Sequence, residues 1–245
     1  MTETAEIQQK IKEIKQSFHQ LMDGAVAQSM RQKGLDYHLN WGVTLPRLRE
    51  MANEIKESWP ASNPLINSQS QKASPSGGRM EGASLSPLSS LHSPLYDLSL
   101  SLWKENVREC KILATMLMPA EEMLPEVVDI WMEQTDTVEL AEQAAFNLYQ
   151  HLPFAAEKAF LWLSSADDLP QICGYHILSR LFAQGQEPNE RGINEFIDQA
   201  LAAMQGPNPV LRKAAMQSLI HFSSLGLMYE RLARSATHSI GMDII

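Results

Sequence analysis

Hydrophobic residues recur every three or four positions through most of this chain, which is the period of an amphipathic α-helix. Near the N-terminus the apolar positions are Ile7, Ile11, Ile14, Phe18 and Leu21, with lysines on the other side. The same period predicts further helices at 23–33, from 44 through 55, and at 96–103, 105–118, 121–133, 137–150, 153–163, 168–184, 189–204, 208–223 and 226–235. Alternating strand patterns with hairpin turns are nearly absent, so an all-α chain is predicted.

Several of these helices have recognisable start signals. Thr44–Pro46, Ser93–Pro94 and Asn208–Pro209 each combine an N-cap side chain with a proline in the first turn. Asp136 followed by Glu139 resembles a capping box. These signals predict where four helices begin.

About a dozen helices with short connections form either a bundle or a helical solenoid. The helices come in pairs of roughly 35–45 residues, the spacing of HEAT and armadillo units. A HEAT-like α-α superhelix of about six helix pairs is therefore predicted, with a concave face built by the inner helices.

One segment departs from this pattern. Residues 61–94 contain ten Ser, four Pro and three Gly and few charges, a composition that cannot bury enough apolar surface to offset the cost of ordering. We expect a disordered insertion, although three spaced leucines leave open a short helix that forms on docking. The predicted organisation is thus solenoid helices at 1–60 and 95–235, separated by the insertion, with a tail at 236–245.

The charge balance limits the functional classes. The 245 residues hold 20 Lys and Arg against 29 Asp and Glu, a formal net charge of −9. This balance argues against a protein that coats nucleic acid indiscriminately, but it leaves room for a local basic groove.

The chain has few signals of a specialised environment or bound group. Cys110 and Cys173 have no CxxC partner, so both are expected to be core residues in a reducing compartment. There is no signal peptide and no apolar run of membrane-spanning length, so a cytoplasmic location without a membrane partner is expected. The scattered histidines and the absence of nucleotide-binding or metalloprotease motifs predict no cofactor and no metal.

Cations recur in three places that are candidate phosphate contacts. In the segment Leu102–Leu117 the apolar positions have helical spacing, and three cations repeat on the same period beside them. A solvated helix face would explain such a stripe equally well. The candidate DNA-binding residues are Arg47, Lys104, Arg108, Lys111, Arg212 and Lys213.

Glu142 is the candidate catalytic carboxylate. Asp136 and Glu139 lie in a first helical turn, where carboxylates stabilise the helix without any further role. Glu142 lies deeper, among alanines at 141, 144 and 145 that leave space for a ligand or for a closely packed helix.

Four segments together resemble one family. YHLNWGVTLPRLREMANEI, LWKENVRECKILATMLM, TDTVELAEQAAFNL and NPVLRKAAMQSLIHF, in this order, resemble the bacterial DNA alkylation repair proteins of the alkylpurine DNA glycosylase D type. The resemblance spans roughly 5–60 and 95–225. It implies a HEAT-like solenoid, expected to be a monomer, whose concave face binds duplex DNA and excises cationic N3- and N7-alkylated purines.

The resemblance also implies an active site, which this chain departs from. The family places a carboxylate between two tryptophans, with arginines nearby, and the carboxylate position falls on Glu142. The tryptophan and arginine positions fall on Val138, Gln217, Ile220, Gln171 and Ile172. Because the aromatic cage is missing, weak or absent excision is expected. Two hypotheses follow: a glycosylase that uses Glu142, or a non-catalytic scaffold that binds DNA or a protein partner.

Overall fold

The computed structural model of this chain describes residues 3–59 and 92–243. Within these ranges the chain forms twelve α-helices and one short 3-10 helix at Tyr149–His151, and it contains no strand, which confirms the all-α prediction. The α-helices are α1 (Glu3–Gln20), α2 (Gly24–Gln32), α3 (Leu45–Ser58), α4 (Pro94–Lys104), α5 (Arg108–Leu117), α6 (Pro125–Glu133), α7 (Val138–Asn147), α8 (Ala155–Leu163), α9 (Asp168–Ala183), α10 (Glu190–Gln205), α11 (Pro209–Ser223) and α12 (Leu227–Ser239). None of these helices is long and apolar enough to cross a bilayer.

Three predicted helix starts are confirmed. The side chain of Ser93 accepts a hydrogen bond from the Tyr96 N–H, and that of Asn208 accepts from the Val210 N–H. Thr44 also precedes a helix, but its hydroxyl accepts no capping hydrogen bond. Proline in the first turn therefore coincides with a helix start in all three cases, with or without a side-chain cap.

The predicted capping box at Asp136 is wrong by one residue. The N-cap of α7 is Thr137, whose hydroxyl accepts from the Leu140 N–H. Glu139 is then at the second helical position instead of the third, and its carboxylate accepts a hydrogen bond from the Tyr37 hydroxyl at 2.8 Å. The Thr137 hydroxyl donates to the same tyrosine, so a tertiary contact accompanies the observed helix start.

The described residues divide into two compact units. Unit 1 comprises the described parts of 1–27 and 39–122, and unit 2 comprises 28–38 and the described part of 123–245. Nearly all of the predicted insertion at 61–94 lies outside the described residues, so its disorder stays a prediction. At the other end, α12 continues to Ser239, into the segment predicted as a tail.

Unit 1 is organised around the connection before α3. The Asp23 N–H donates to the Trp41 carbonyl, and the Trp41 ring packs on Phe18 with centroids 5.6 Å apart. Gly42 has φ +75°, and a Cβ atom there would lie 2.1 Å from the Asp23 carbonyl oxygen. Only glycine therefore fits where this connection crosses the start of α2.

Unit 2 is centred on α9, which packs against α7, α8 and α11. Its far end joins an aromatic cluster in which the rings of Phe182, Phe196 and Phe222 lie 5.0–5.5 Å apart. Tyr229 extends this cluster to α12. Burial of these aromatic rings thus joins α9, α10, α11 and α12 in one core.

Small residues allow α9 to approach its neighbours closely. A Cβ atom at Gly174 would lie 2.8 Å from the Ala159 carbonyl oxygen on α8. On the α7 side, the Cys173 thiol donates to the Ala141 carbonyl at 3.6 Å, and Ala144 is fully buried. The alanines of α7 therefore accommodate a closely packed helix, which was one of the two alternatives for them.

We expect neither thiol to react while the protein is folded. Burial raises the pKa of the Cys110 thiol to about 12 and also raises that of Cys173, so reactive thiolate is scarce near neutral pH. Both side chains are buried. Labelling with Ellman's reagent should release no rapid thiolate from native protein and two equivalents after unfolding in guanidinium chloride. Rapid stoichiometric release from native protein would contradict this burial.

Candidate functional site

In unit 2, side chains of α7 contact side chains of α9 at successive helical turns, and each such contact is called a rung. Glu142 Oε1 lies 3.5 Å from His176 Nε2, and one turn later the Arg180 guanidinium carbon lies 4.6 Å from the Phe146 ring centroid. Each helix contributes residues four positions apart, which share one face. Because the residue numbers of both helices increase from the first contact to the second, the two helices run parallel.

A third rung continues the same series just past the helix ends. The Gln184 amide donates to Gln150 Oε1 at 2.8 Å, and the two residues are 34 apart in sequence. The first two rungs have the same separation. A constant separation over three rungs means that α7 and α9 stay in one register along their length, as expected for equivalent helices of successive repeats.

Helix α11 extends this row on the other side of α9. Ser179 Oγ lies 2.7 Å from His221 Nδ1, and Gln217 Nε2 lies 3.3 Å from His221 Nε2. At the helix starts, the Asn208 amide donates to Asp168 Oδ2 at 2.7 Å. The three parallel helices therefore form one side-chain surface within unit 2, which we call the α7–α9–α11 face.

The cations and carboxylates of unit 2 are distributed unevenly. Helix α11 carries Arg212 and Lys213, both exposed, and no Asp or Glu, whereas α9 has one carboxylate, Asp168. The carboxylates of α6 and α10 are Glu126, Asp129, Glu133, Glu190, Glu195 and Asp198, against a single cation, Arg191. Helix α11 is thus basic and α6 and α10 are acidic, while α7 carries two carboxylates, Glu139 and Glu142.

A groove on unit 2 is acidic, in contrast to α11. It measures about 570 Å³ and is lined by Asp129, Glu133, Asp167 and Asp168 together with Trp162. Lys158 pairs with Asp129 at 2.6 Å, and the other three carboxylates repel a polyanion, so this groove is unsuited to nucleic acid.

The structure shows the surroundings of the predicted catalytic carboxylate. The Glu142 side chain is 44% exposed and lies beside His176. Val138, one turn earlier, is half-buried, and Gln217 is held by His221. Both described tryptophans of unit 2, at 131 and 162, are buried core residues. No pair of tryptophans therefore flanks Glu142 in the described part of unit 2.

The predicted basic stripe at Lys104, Arg108 and Lys111 is wrong as a continuous exposed surface. Lys104 ends α4 and is exposed, but the chain leaves the helix before Arg108 begins α5. Arg108 is only 1% exposed, and Lys111, at 8%, lies 5.4 Å from the buried Trp103 ring. Helical spacing continues through a segment whose backbone is not helical.

Arg108 instead belongs to a buried ion pair. Its guanidinium donates to the Val43 carbonyl at 2.9 Å and lies 3.2 Å from the Glu109 carboxylate. Glu109 in turn accepts from the Trp41 and Val43 N–H groups, both at 3.2 Å. The pair therefore holds the connection before α3 against α5, and Arg108 is not available to a phosphate.

The remaining predicted cations are exposed. Arg47, in unit 1, lies 2.6 Å from Glu50 one turn away, an exposed pair of small energetic consequence. Arg212, in unit 2, donates to the Gly206 carbonyl at 3.3 Å, and Lys213 follows it near the start of α11.

Sequence reasoning missed Phe146, and it assigned no role to His176 and Arg180, which lie one turn apart on one predicted helix. The available signal was the repeated four-residue spacing of Glu142 and Phe146 on one helix and of His176 and Arg180 on the next. That signal gains meaning only when the two helices are known to be adjacent. Among the described residues, no group of three His, Cys, Asp or Glu side chains could hold a metal ion.

Comparison with known proteins identifies the fold. No protein-family model and no curated protein matches the chain. A solved structure is similar over 94% of this chain and 82% of its own, with a TM-score of 0.70 and 13% identity. It is described as a member of a new family of proteins related to the HEAT-like repeat DNA glycosylases with affinity for branched DNA structures. This similarity confirms the predicted HEAT-like fold.

Replacing Arg108 by Met should destabilise the protein strongly. The substitution leaves the Glu109 carboxylate buried without its cation, which costs about 3–5 kcal/mol in the free energy of unfolding. Denaturant unfolding of Arg108→Met and of Lys104→Met as an exposed control measures the difference. The control should change stability by less than about 0.5 kcal/mol. Equal effects of the two substitutions would contradict the structural role of Arg108.

Proposed function

We propose that this protein binds branched DNA along the α7–α9–α11 face and does not excise alkylated bases. The observation that carries the proposal is that three parallel helices form this face and that one of them, α11, carries exposed cations and no carboxylate. The protein with the similar fold is described as having affinity for branched DNA structures. Fold similarity suggests the class of ligand, and the distribution of charge suggests the surface.

The electrostatics support binding at this face despite the acidic composition. DNA affinity depends on the cations that lie near phosphates, so the net charge of the whole chain matters less than its distribution. Arg212 and Lys213 lie near the start of α11, and Arg180 lies on α9. Helices α6 and α10 would repel the same phosphates, which favours one orientation of the ligand.

The chemistry at Glu142 supports binding without excision. A glycosylase for cationic purines gains from aromatic faces around the lesion, each worth about 0.5–2 kcal/mol. Val138 and Gln217, at the two cage positions that the family resemblance implies, supply none. His176, 3.5 Å from the carboxylate, also competes with a water molecule for Glu142.

The exposed Glu142–His176 pair favours a second candidate, a glycosylase in which Glu142 directs water to the sugar. A carboxylate beside an imidazole is a common arrangement for acid–base chemistry. This alternative requires activity without the aromatic cage.

Binding should prefer branched DNA and depend on the α11 cations. Fluorescence anisotropy with a four-way junction, a three-way junction and a linear duplex of matched sequence should give at least about tenfold tighter binding to the junctions. Arg212→Gln and Lys213→Gln should each make the slope of log K against log salt less negative by about one. Arg191→Gln on α10 is the matched control and should leave the slope unchanged.

Two results would contradict the binding proposal. Equal affinity for junction and duplex would remove the preference for branches. Undetectable binding to every DNA would favour a protein partner instead.

No alkylated purine should be released. Methylated DNA incubated with the purified protein should yield no 3-methyl- or 7-methylpurine above the protein-free blank, because the cage that favours a cationic base is missing. Glu142→Gln serves as the control for any trace activity. Release that this substitution abolishes would establish the glycosylase alternative.

A further inference from the structure

Phe146 is unusual among the aromatic side chains of this protein. It is 38% exposed, and no other Phe, Tyr or Trp in the described ranges is exposed to this degree. It lies on the α7–α9–α11 face, one turn beyond Glu142. An exposed aromatic ring at a binding surface gains most when a ligand covers it.

Phe146 is in contact with a neighbouring cation. The Arg180 guanidinium carbon lies 4.6 Å from the ring centroid, so an exposed cation accompanies the exposed ring. One turn further along, the Gln184 side chain donates to Gln150, which keeps the ends of α7 and α9 together beside this pair. The ring and the guanidinium are therefore adjacent before any ligand arrives, which lowers the entropic cost of binding.

We propose that Phe146 and Arg180 form a stacking platform for an unpaired base at the branch point of DNA. This inference rests on the proposed binding of branched DNA and names the feature that is recognised. In a linear duplex the bases are stacked and their faces are hidden, whereas a branch point exposes base faces. An aromatic ring and a guanidinium both stack on bases, and the arginine adds attraction to the neighbouring phosphates.

The chemistry of the pair explains a preference for branches over duplex. Cations alone contact the phosphates of either form, so they give affinity without distinguishing the two. Base stacking is available only where a base has left the helix, so the platform adds affinity for branched DNA alone. The stacking is also tolerant of sequence, because every base has a π face.

The test places 2-aminopurine at the branch point of a three-way junction. The fluorescence of this base falls when it stacks, so the wild-type protein should quench it on binding. Phe146→Ala should abolish the quenching and weaken junction binding by about tenfold or more, while duplex binding stays unchanged. Leu161→Ala, which truncates an even more exposed apolar residue on α8, is the control and should change neither quantity.

Arginine variants separate stacking from charge. Arg180→Lys retains the positive charge but loses the planar guanidinium, so it should weaken quenching while preserving the salt dependence. Arg180→Gln should reduce both. Thermal melting followed by circular dichroism checks that each variant is folded.

The possible outcomes distinguish this inference from the proposed function. Junction-selective binding by the wild type with unchanged quenching and affinity in Phe146→Ala would overturn the platform and leave the proposed function standing. Failure of the wild type to bind any junction would overturn both. Equal loss of junction and duplex binding in folded Phe146→Ala would assign the residue a general role and also overturn the inference.

Discussion

Close packing of α7 against α9 is the constraint on which the candidate binding face depends. Small residues at the contact, Ala141, Ala144 and Cys173, allow the two helices to approach within a thiol hydrogen bond of 3.6 Å. At this separation, side chains of α7 on the adjoining exposed surface contact side chains of α9 in pairs, and the two members of each pair have the same separation in sequence. Bulkier residues at the contact would separate the helices and with them the acid, cation and aromatic groups that define the face.

The distribution of charge explains how an acidic protein can present a surface suited to DNA. In unit 2, α6 and α10 together carry six carboxylates and one Lys or Arg, whereas α11 carries two such cations and no carboxylate. In unit 1, Arg108 and Glu109 bury one charge of each sign in the core, where they hold the connection before α3. Net charge counts all of these groups equally, although only some of them face a ligand. The formal charge of −9 is thus compatible with a local anion-binding surface.

The sequence was sufficient to predict most of the helices, since their apolar period and proline start signals are local properties. It failed where a distant group decides the local outcome. Arg108 looked like a surface cation, but its carbonyl acceptor Val43 lies 65 residues earlier in the chain. Asp136 looked like an N-cap, but Tyr37 engages Glu139 and the helix begins after Thr137.

Prediction of the candidate site was limited by the same lack of long-range information. Glu142 is predictable from its position among alanines and from the family resemblance, which aligns it with a carboxylate. Phe146 lies outside every motif, and its contact with Arg180 becomes apparent only when α7 and α9 are known to be adjacent. Repeat proteins build binding surfaces from equivalent positions of successive repeats, so such pairs are invisible until the register between repeats is known.

Site-specific photocrosslinking tests most directly the claim that DNA binds along the α7–α9–α11 face. A benzophenone amino acid is placed either at Gln217 on α11 or at the exposed Leu161 on α8, and each protein is irradiated with a labelled four-way junction. The proposed binding predicts covalent protein–DNA adducts from position 217 and none from position 161. Adducts from position 161 alone, or none from either position at concentrations that saturate binding, would contradict it.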